Sequence, residues 1–496
     1  MNDAHIPLEE HLSVTTDLKN KVLALEEQIE WFKRQIFGQR SERVIENQEE
    51  QPSLFELPVI EIPKKIKIES HTRKKDSKDK QCISFPEDLP IERTVLDIDK
   101  NQKTCKKTGI SLVKIGEDIS QKLAYKPGSY FIKETIRPKY ALPKISEDGV
   151  LTADLPDSLL SRCKADESLL AEILVRKFSD HLPLYRQSEI MAREGISISR
   201  QVLSQWVVKC GLALKPIYDQ LFKEVLESQN VFIDEVPVNM LKPGKGKVHK
   251  SFMWVIVGGK SSNPALRVYN FRDNRRYENA KDLLKNLDHG VVHSDKFGAY
   301  EVLANQKKFI WSPCWAHVRR KFYEAEGGDT KFTKLIIRKI KYLFFFERIA
   351  WSRSEEERLR IRQEKEVPII DELIELIKKK YISGKILPKS NFKEALGYFA
   401  GLIPHLKNYT NYPFARIDNN VAERAVRPLA LGRKNWLFIG NEKSGEASAI
   451  ILSLIQTCKA LGKNPTVYLE DVMRRLMGHN SQKIDQLLPH NWMPPS

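Results

Sequence analysis

The sequence predicts an α/β protein built on a mixed sheet covered by helices, and three observations carry that prediction. From residue 230 onward, apolar runs and amphipathic segments follow one another in the order β-β-β-α-β-α-β-α, the pattern of a mixed sheet with covering helices. Two of the runs, "NVFID" and "GVVHSD", end in aspartates, Asp234 and Asp295. A segment without strand signals, residues 330–412, then intervenes before a cation-rich helix that carries Glu423.

Composition narrows the class. A chain of 496 residues has length for roughly three domains. Its 41% hydrophobic and 30% charged residues suit a soluble globular protein with exposed charged segments. A net charge of +17 calls for a polyanionic partner, nucleic acid first, with a membrane surface as the rival. No apolar run approaches the length of a spanning helix, and the acidic start "MNDAHIPLEEHL" is unlike a signal peptide, so no membrane partner is expected. The six cysteines (Cys82, Cys105, Cys163, Cys210, Cys314, Cys458) have no paired spacing, which fits reduced thiols in a cytoplasmic protein.

Residues 1–43 are expected to hold an N-terminal helix. Leu18, Val22, Leu25, Ile29, Phe32 and Ile36 alternate in steps of four and three, the seam of a coiled coil. A single helix packed on its own protein would carry the same pattern. Residues 44–90 read as a basic linker, with eight Lys/Arg against four Asp/Glu between 61 and 80. It would touch phosphates without sequence preference or simply stay solvated. In residues 91–150, short β-like runs alternate with turn signals, a small β-rich module.

Within residues 151–225, "LPLYRQSEIMAREGISISRQVLSQWVVK" breaks its apolar periodicity at Glu194-Gly195 and resumes after Ser197 or Ser199, a helix–turn–helix. As a DNA reader its second helix would offer Arg200, Gln201, Ser204 and Gln205 to base edges. As an ordinary helical hairpin it would bury Leu203, Trp206 and Val207. Residues 226–329 supply the first part of the sheet core. "NVFID" is a strand, "SFMWVIVGG" and "PALRVYNF" form a hairpin around "GKSSN", and "NRRYENAKDLLKNL" is an amphipathic helix. "GVVHSD", a helix near 297–304, the strand "KKFIWS" and the helix "WAHVRRKFYEA" complete it. Residues 330–412 are a helical insertion, 413–475 return to the core with Glu423, and 476–496 form a C-terminal tail.

Read alone, the Glu423 segment has an ordinary explanation. Asn420-x-x-Glu423 has capping-box spacing, and Glu423 and Arg427 stand four apart as a helix-surface ion pair does. Pro428 disfavours helix at Arg427, so a helix of about two turns is expected. The element order favours a different role. Open sheets place ligands at the carboxyl ends of their strands, where Asp234 and Asp295 stand. A magnesium ion takes hard oxygen ligands, and a pair of such ions can activate an attacking oxygen and steady a leaving one in phosphodiester chemistry. Two strand-end aspartates and an acid from a helix would meet that need, with nearby arginines offsetting the acids' repulsion and receiving DNA phosphates.

At this point the chain resembles the transposases of the insertion-sequence-66 family, within the wider group that has a DDE active site on a ribonuclease-H-like fold. "IDNNVAERAVRPLALGRKNWLFIGNEKSGEASAIILSLIQTCKALGKNPTVYL" is similar to the family's most distinctive block throughout. "HLPLYRQSEIMAREGISISRQVLSQW", "FIDEVPV", "VVHSDKFGAY", "CWAHVRRKF" and "LLPHNW" match in order. The resemblance implies that Asp234, Asp295 and Glu423 form an acidic triad holding two Mg2+ or Mn2+ ions. Water would cut a phosphodiester at the end of the mobile element, and the freed 3′-hydroxyl would then attack target DNA, with no covalent protein–DNA intermediate. Glu235 is a poorer triad candidate, because neighbouring strand residues face opposite sides.

Arg424, Arg427, Arg433 and Lys434 are further DNA-contact candidates, while Trp436 and Trp315 read as packing residues. Cys314 and His317, in "CWAH", have no second pair nearby to close a structural zinc site. The resemblance assigns them to support of the active-site edge; a core cysteine and a hydrogen-bonded histidine is the alternative. Family members carry a small zinc module near residues 105–144. Here "CKKTG" keeps Cys105 but has Thr108 at the second ligand position, and Ala141 and Lys144 stand where later cysteines belong, so no structural zinc is expected. Val236, where the family tends to have threonine, leaves the triad untouched.

The sequence therefore reads as a DNA transposase acting on double-stranded element ends and target DNA. A homo-oligomer, at least a dimer, is expected because two ends must be cut and joined together. Accessory proteins of the element and a bacterial, nucleoid-associated location accompany that reading. A catalytically inactive DNA-binding repressor derived from a transposase is its rival.

Overall fold

The computed structural model describes residues 89–494, apart from 100–102, 104–110, 112, 127, 142–150, 242–247, 307–308, 326–328, 384–385 and 387–388. The expected coiled-coil helix, nearly all of the basic linker, and Cys105, Thr108 and Lys144 lie outside the described residues.

The β-rich module is present as strands β1 (Ile91–Val95), β2 (Val113–Lys126), β3 (Ser129–Ala141) and β4 (Leu151–Thr152), in the order β1-β3-β2 with β4 on β3. β2 and β3 are one long antiparallel hairpin, turned by Gly128 at φ +88°, a conformation that glycine adopts without steric cost. Its inward residues Leu123 and Tyr130 share a core with helix α1 (Glu167–Phe178).

The expected helix–turn–helix is helix α2 (Leu184–Arg193) followed by α3 (Arg200–Ala213). Gly195 takes the left-handed turn at φ +78°, and the Ser199 hydroxyl caps α3 by accepting from the Val202 N–H at 3.3 Å. Leu203, Trp206 and Val207 are buried, leaving Arg200, Gln201, Ser204 and Gln205 exposed on the opposite face. Helix α4 (Lys215–Leu226) leads into the second sheet.

That sheet follows the predicted element order without exception. Its strands are β5 (Asn230–Leu241), β6 (Val248–Gly258), β7 (Leu266–Arg272), β8 (Val291–Ser294) and β9 (Ile310–Pro313). Helices α5 (Tyr277–Leu283), α6 (Gly298–Gln306) and α7 (Trp315–Glu324) follow β7, β8 and β9. The spatial order is β7-β6-β5-β8-β9, antiparallel from β7 to β5 and parallel from β5 to β9. β8 is buried along its whole length, as a short parallel strand covered on both faces must be. One expectation needs correction: Asp234 does not end its strand. β5 runs on to Leu241 because residues 234–241 continue the ladder with β6.

Residues 330–412 contain helices and no strand among the described residues, as expected: α8 (Thr330–Trp351), α9 (Glu355–Ile361), α10 (Val367–Ile382) and α11 (Asn391–Ala400). A π-helical stretch, Arg362–Glu366, joins α9 to α10. The chain returns in α12 (Asn420–Trp436), and here a second expectation fails: the helix runs 17 residues, straight through Pro428. A proline costs a helix one backbone hydrogen bond. Ala422, Ala425, Leu429 and Gly432, all buried at helical spacing, carry the helix across it.

Helix α13 (Glu442–Ala460) then covers the sheet's edge. The Tyr269 and Arg267 N–H groups of β7 donate to Ser453 Oγ (2.8 Å) and Thr457 Oγ1 (3.0 Å), so the exposed ladder is satisfied by side chains. Helix α14 (Pro465–Arg475) pairs its Arg474 with Asp166, the N-cap of α1, and two 3-10 stretches, Leu476–Gly478 and Ser481–Leu487, follow it.

Candidate active site

Strand register brings the first two acids together. β5 and β8 pair through Asn230–Val291, Val231–Val292 and Phe232–His293, and the Phe232 and His293 rings stack 4.7 Å apart. Asp234 and Asp295 each stand two residues beyond that couple, Asp234 within β5 and Asp295 one residue past the end of β8. Asp234 reports the closeness electrostatically. Burial, then the charge of Asp295, and more weakly that of Glu423, push its pKa up to about 7.

Glu423 arrives from α12 on a scaffold of three hydrogen bonds. The Asn419 amide donates to the carbonyl of Ile233, the residue before Asp234, at 2.7 Å. The Asn419 N–H donates to Cys314 Sγ at 3.2 Å. The Cys314 N–H donates to the carbonyl of Ser294, the residue before Asp295, at 3.0 Å. The start of the Glu423 helix is thereby tied to the residue in front of each aspartate.

The ordinary explanation of Glu423 is not realised. Asn419, not Asn420, is the cap position, no side chain caps the helix, and the Asn420 amide turns to Asp418 Oδ2 at 2.6 Å. The Glu423 carboxylate instead has Oε1 3.6 Å from His317 Nδ1 and Oε2 3.6 Å from Arg320 Nη2.

Oxygen atoms in this cluster are left over. Asp295 Oδ1 and Glu423 Oε1 are buried and take no hydrogen bond among the described residues. Such atoms carry a desolvation cost that a cation would relieve. Asp295 and Glu423 both act on the charge of Asp234, and three carboxylates are the hard oxygen donors that divalent ions take. Among the described residues, though, it is Cys314, His317 and Glu423 whose ligand atoms come within 4.8 Å of one another.

The roles of four neighbours, Glu235, Arg275, Tyr300 and Arg320, were not legible in the sequence. The Glu235 side chain, only 1% exposed, is paired with Arg275 and accepts from the Tyr300 hydroxyl at 3.0 Å. Burial, then Asp295, pushes it up to about 7. Arg275 also reaches Asp295 Oδ2 at 3.4 Å, so Glu235 stations a cation beside the second aspartate. Arg320 does the same for Glu423. Nothing in their spacing couples these residues to the acids.

The buried acids give a pH signature. In the unfolded chain both carboxyls ionise near pH 4, whereas the native state keeps their protons to about 7. The native state thus binds more protons across that window, and stability falls as pH rises from about 4 to about 7, then levels. The loss is on the order of a few kcal/mol, because one pKa unit is worth about 1.4 kcal/mol. Urea midpoints without divalent ions are expected to drop between about pH 5 and pH 7.5, and less so in Asp234→Asn/Glu235→Gln.

The DNA-contact candidates divide. Arg424, Arg427 and Lys434 are exposed on α12. Arg433 is half-buried and donates to the Pro237 carbonyl at 2.8 Å, bracing α12 on β5. Arg200, Gln201 and Ser204 line a groove of about 750 Å³ with Trp436, Leu437 and Phe438. Trp315 is buried, its indole N–H donating to the Leu406 carbonyl at 3.1 Å. Cys314, His317 and Glu423 bring ligand atoms within 4.8 Å of one another. The third group that "CWAH" lacks in sequence therefore comes from α12. No helix among the described residues is long and apolar enough to cross a membrane.

Comparison with known families agrees with this layout. Residues 162–447 match the Transposase IS66 family, 453–490 the IS66 C-terminal element, and 24–94 the Transposase C of IS166 homeodomain. Residues 102–143 match the zinc-finger binding domain of transposase IS66. That match points to zinc binding and overturns the expectation of no structural zinc. The expectation had rested on counting ligands position by position, whereas the match covers the whole pattern of the region.

Among curated proteins, the uncharacterized protein y4qI of Sinorhizobium fredii is 35% identical over 402 residues, covering 78% of this chain and 73% of that protein. The uncharacterized protein y4jD of the same organism is 31% identical over 497 residues, covering 96% of each. With its sheet, its helical insertion and its acid-bearing helix all inside the matched span, the chain belongs to the IS66 transposase family.

Proposed function

We propose that this transposase-family protein is an active DDE enzyme, cutting DNA at the ends of an insertion sequence and joining the freed 3′ ends to target DNA. The observation that supports it is the hydrogen-bond chain through Ile233, Asn419, Cys314 and Ser294, which ties the start of the Glu423 helix to the residue before Asp234 and the residue before Asp295. The strand order β7-β6-β5-β8-β9, with acids on β5 and just past β8, fits a ribonuclease-H-like catalytic domain. Divalent cations bound by the three carboxylates would supply charge neutralisation at the phosphodiester and activation of the attacking oxygen.

The chain's own residues have distinct tasks in this reading. Asp234 and Asp295 hold negative charge at the rim, and Arg275 limits their mutual repulsion from behind. Glu423 completes the acid set from α12, whose exposed Arg424, Arg427 and Lys434 receive DNA phosphates. The exposed face of α3 reads base edges. Two element ends must be brought together, so the working form is at least a dimer.

The test is cleavage of a linear duplex carrying the element's terminal sequence. We expect nicking at the terminus that requires a divalent cation, followed by joining to a target plasmid. Tight, sequence-specific binding without nicking under any divalent cation would contradict this reading and favour a repressor derived from a transposase.

A further inference from the structure

We infer that Cys314, His317 and Glu423 form a binding site for a thiophilic divalent cation, such as zinc or cobalt(II), on the flank of the acid cluster. The chemistry of this trio differs from that of Asp234 and Asp295. Thiolate and imidazole are ligands that zinc and cobalt accept readily, whereas magnesium and calcium take oxygen.

The geometry is close to a coordination shell. Ligands bonded at 2.0–2.3 Å around a tetrahedral ion stand roughly 3.3–3.8 Å apart. His317 Nδ1 and Glu423 Oε1 are separated by 3.6 Å, and all three ligand atoms lie within 4.8 Å. A thiol swing of about 1 Å closes the difference.

Two further observations point to a cation. His317 Nδ1 and Glu423 Oε1 are buried, face each other, and have no hydrogen-bond partner among the described residues. One ion between them satisfies both. The thiol is also supported from behind by the Asn419 N–H at 3.2 Å, a bond that a metal-bound thiolate keeps and that is typical outer support for such ligands.

Burial pushes the Cys314 thiol up to about 12, against the pull of the Asn419 N–H. The sulfur is therefore a thiol until an ion arrives. Binding breaks the S–H bond, forms a sulfur–metal bond and releases one proton to solvent, with no change of oxidation state. Arg320 remains on Glu423 Oε2, so the carboxylate's second oxygen stays charge-compensated. Three protein ligands leave a fourth position open, the pattern of zinc sites that exchange ligands rather than of closed structural ones.

Cobalt(II) titration of the purified full-length chain tests this, independently of any DNA cleavage. A thiolate-to-cobalt charge-transfer band is expected to saturate in wild type and to survive a large excess of magnesium. It should disappear in Cys314→Ser, weaken about tenfold or more in affinity in His317→Gln, and remain in Cys105→Ser, which reports on the zinc-finger-like region instead. Circular dichroism melts establish that each variant is folded. A band that persists in Cys314→Ser, vanishes in Cys105→Ser, or is unaffected by His317→Gln overturns the site. So does its absence from folded wild type. A chain that binds cobalt here yet fails to cut DNA retains this site and loses the proposed reaction.

Discussion

Asp295→Asn is expected to lower DNA cleavage by at least about a hundredfold while leaving DNA binding and folding intact. A group standing behind a metal ligand is worth about 10–100-fold, so the ligand itself should cost no less than the upper figure. The substitution is mild structurally. The asparagine oxygen can keep the contact with Arg275, and its amide then occupies the position of Oδ1, which has no hydrogen-bond partner to lose. What disappears is one negative charge at the rim. The same variant carries a second readout, because Asp295 is the largest charge effect on Asp234. Asp234 should ionise at lower pH in Asp295→Asn, seen as a weaker fall of stability between about pH 4 and pH 7. Single-turnover nicking, a binding isotherm and urea melts separate the effects. Nicking within a few-fold of wild type would remove Asp295 from the site.

Arg362→Leu is expected to destabilise the protein by about 3–5 kcal/mol, the cost of breaking a buried ion pair and stranding one partner. The Arg362 side chain is fully buried and Glu347 is 5% exposed. The guanidinium pairs with Glu347 and donates to the carbonyls of Tyr409 (3.1 Å), Tyr412 (2.7 Å) and Ala415 (2.8 Å). Glu366, nearby, is pushed up to about 8 by burial and then by Glu347, and a carboxyl group in either protonation state supplies no cation to replace the lost one. The carbonyls that Arg362 holds belong to the stretch leading into Asn419 and α12. Cleavage should therefore fall as well, although Arg362 touches none of the acids. The urea midpoint of Arg362→Leu against wild type checks the first effect, and a change of less than about 1 kcal/mol would show that the network carries little.

The central sheet was legible because its strands carry apolar runs interrupted by amphipathic helices, a pattern that periodicity alone resolves. Asp234, Asp295 and Glu423 were legible as candidates because strand ends and a cation-rich helix mark them. The extension of β5 beyond Asp234 was not, since an acid and a proline in "DEVPVNML" look like a strand's end until β6 is paired alongside. Pro428 misled for a related reason. Local preference ends the helix there, and only the buried face at Ala425, Leu429 and Gly432 explains why it continues.

The pairings that build the site were beyond sequence spacing altogether. Cys314 meets Asn419, Glu235 meets Arg275, and Arg362 meets Tyr409 across long stretches of chain. The helical insertion, unremarkable as sequence, proves to brace the segment around Tyr409–Ala415 that leads into α12 and Glu423.

The account rests on three carboxylates acting as one unit, and strand transfer by Glu423→Gln, alone and combined with Asp234→Asn, tests that most directly. Groups that act together are strongly non-additive. The account predicts that each single variant loses nearly all joining of pre-cut ends to target DNA, and that the double variant falls no further. Near-wild-type joining by Glu423→Gln, or losses that multiply in the double variant, would contradict it.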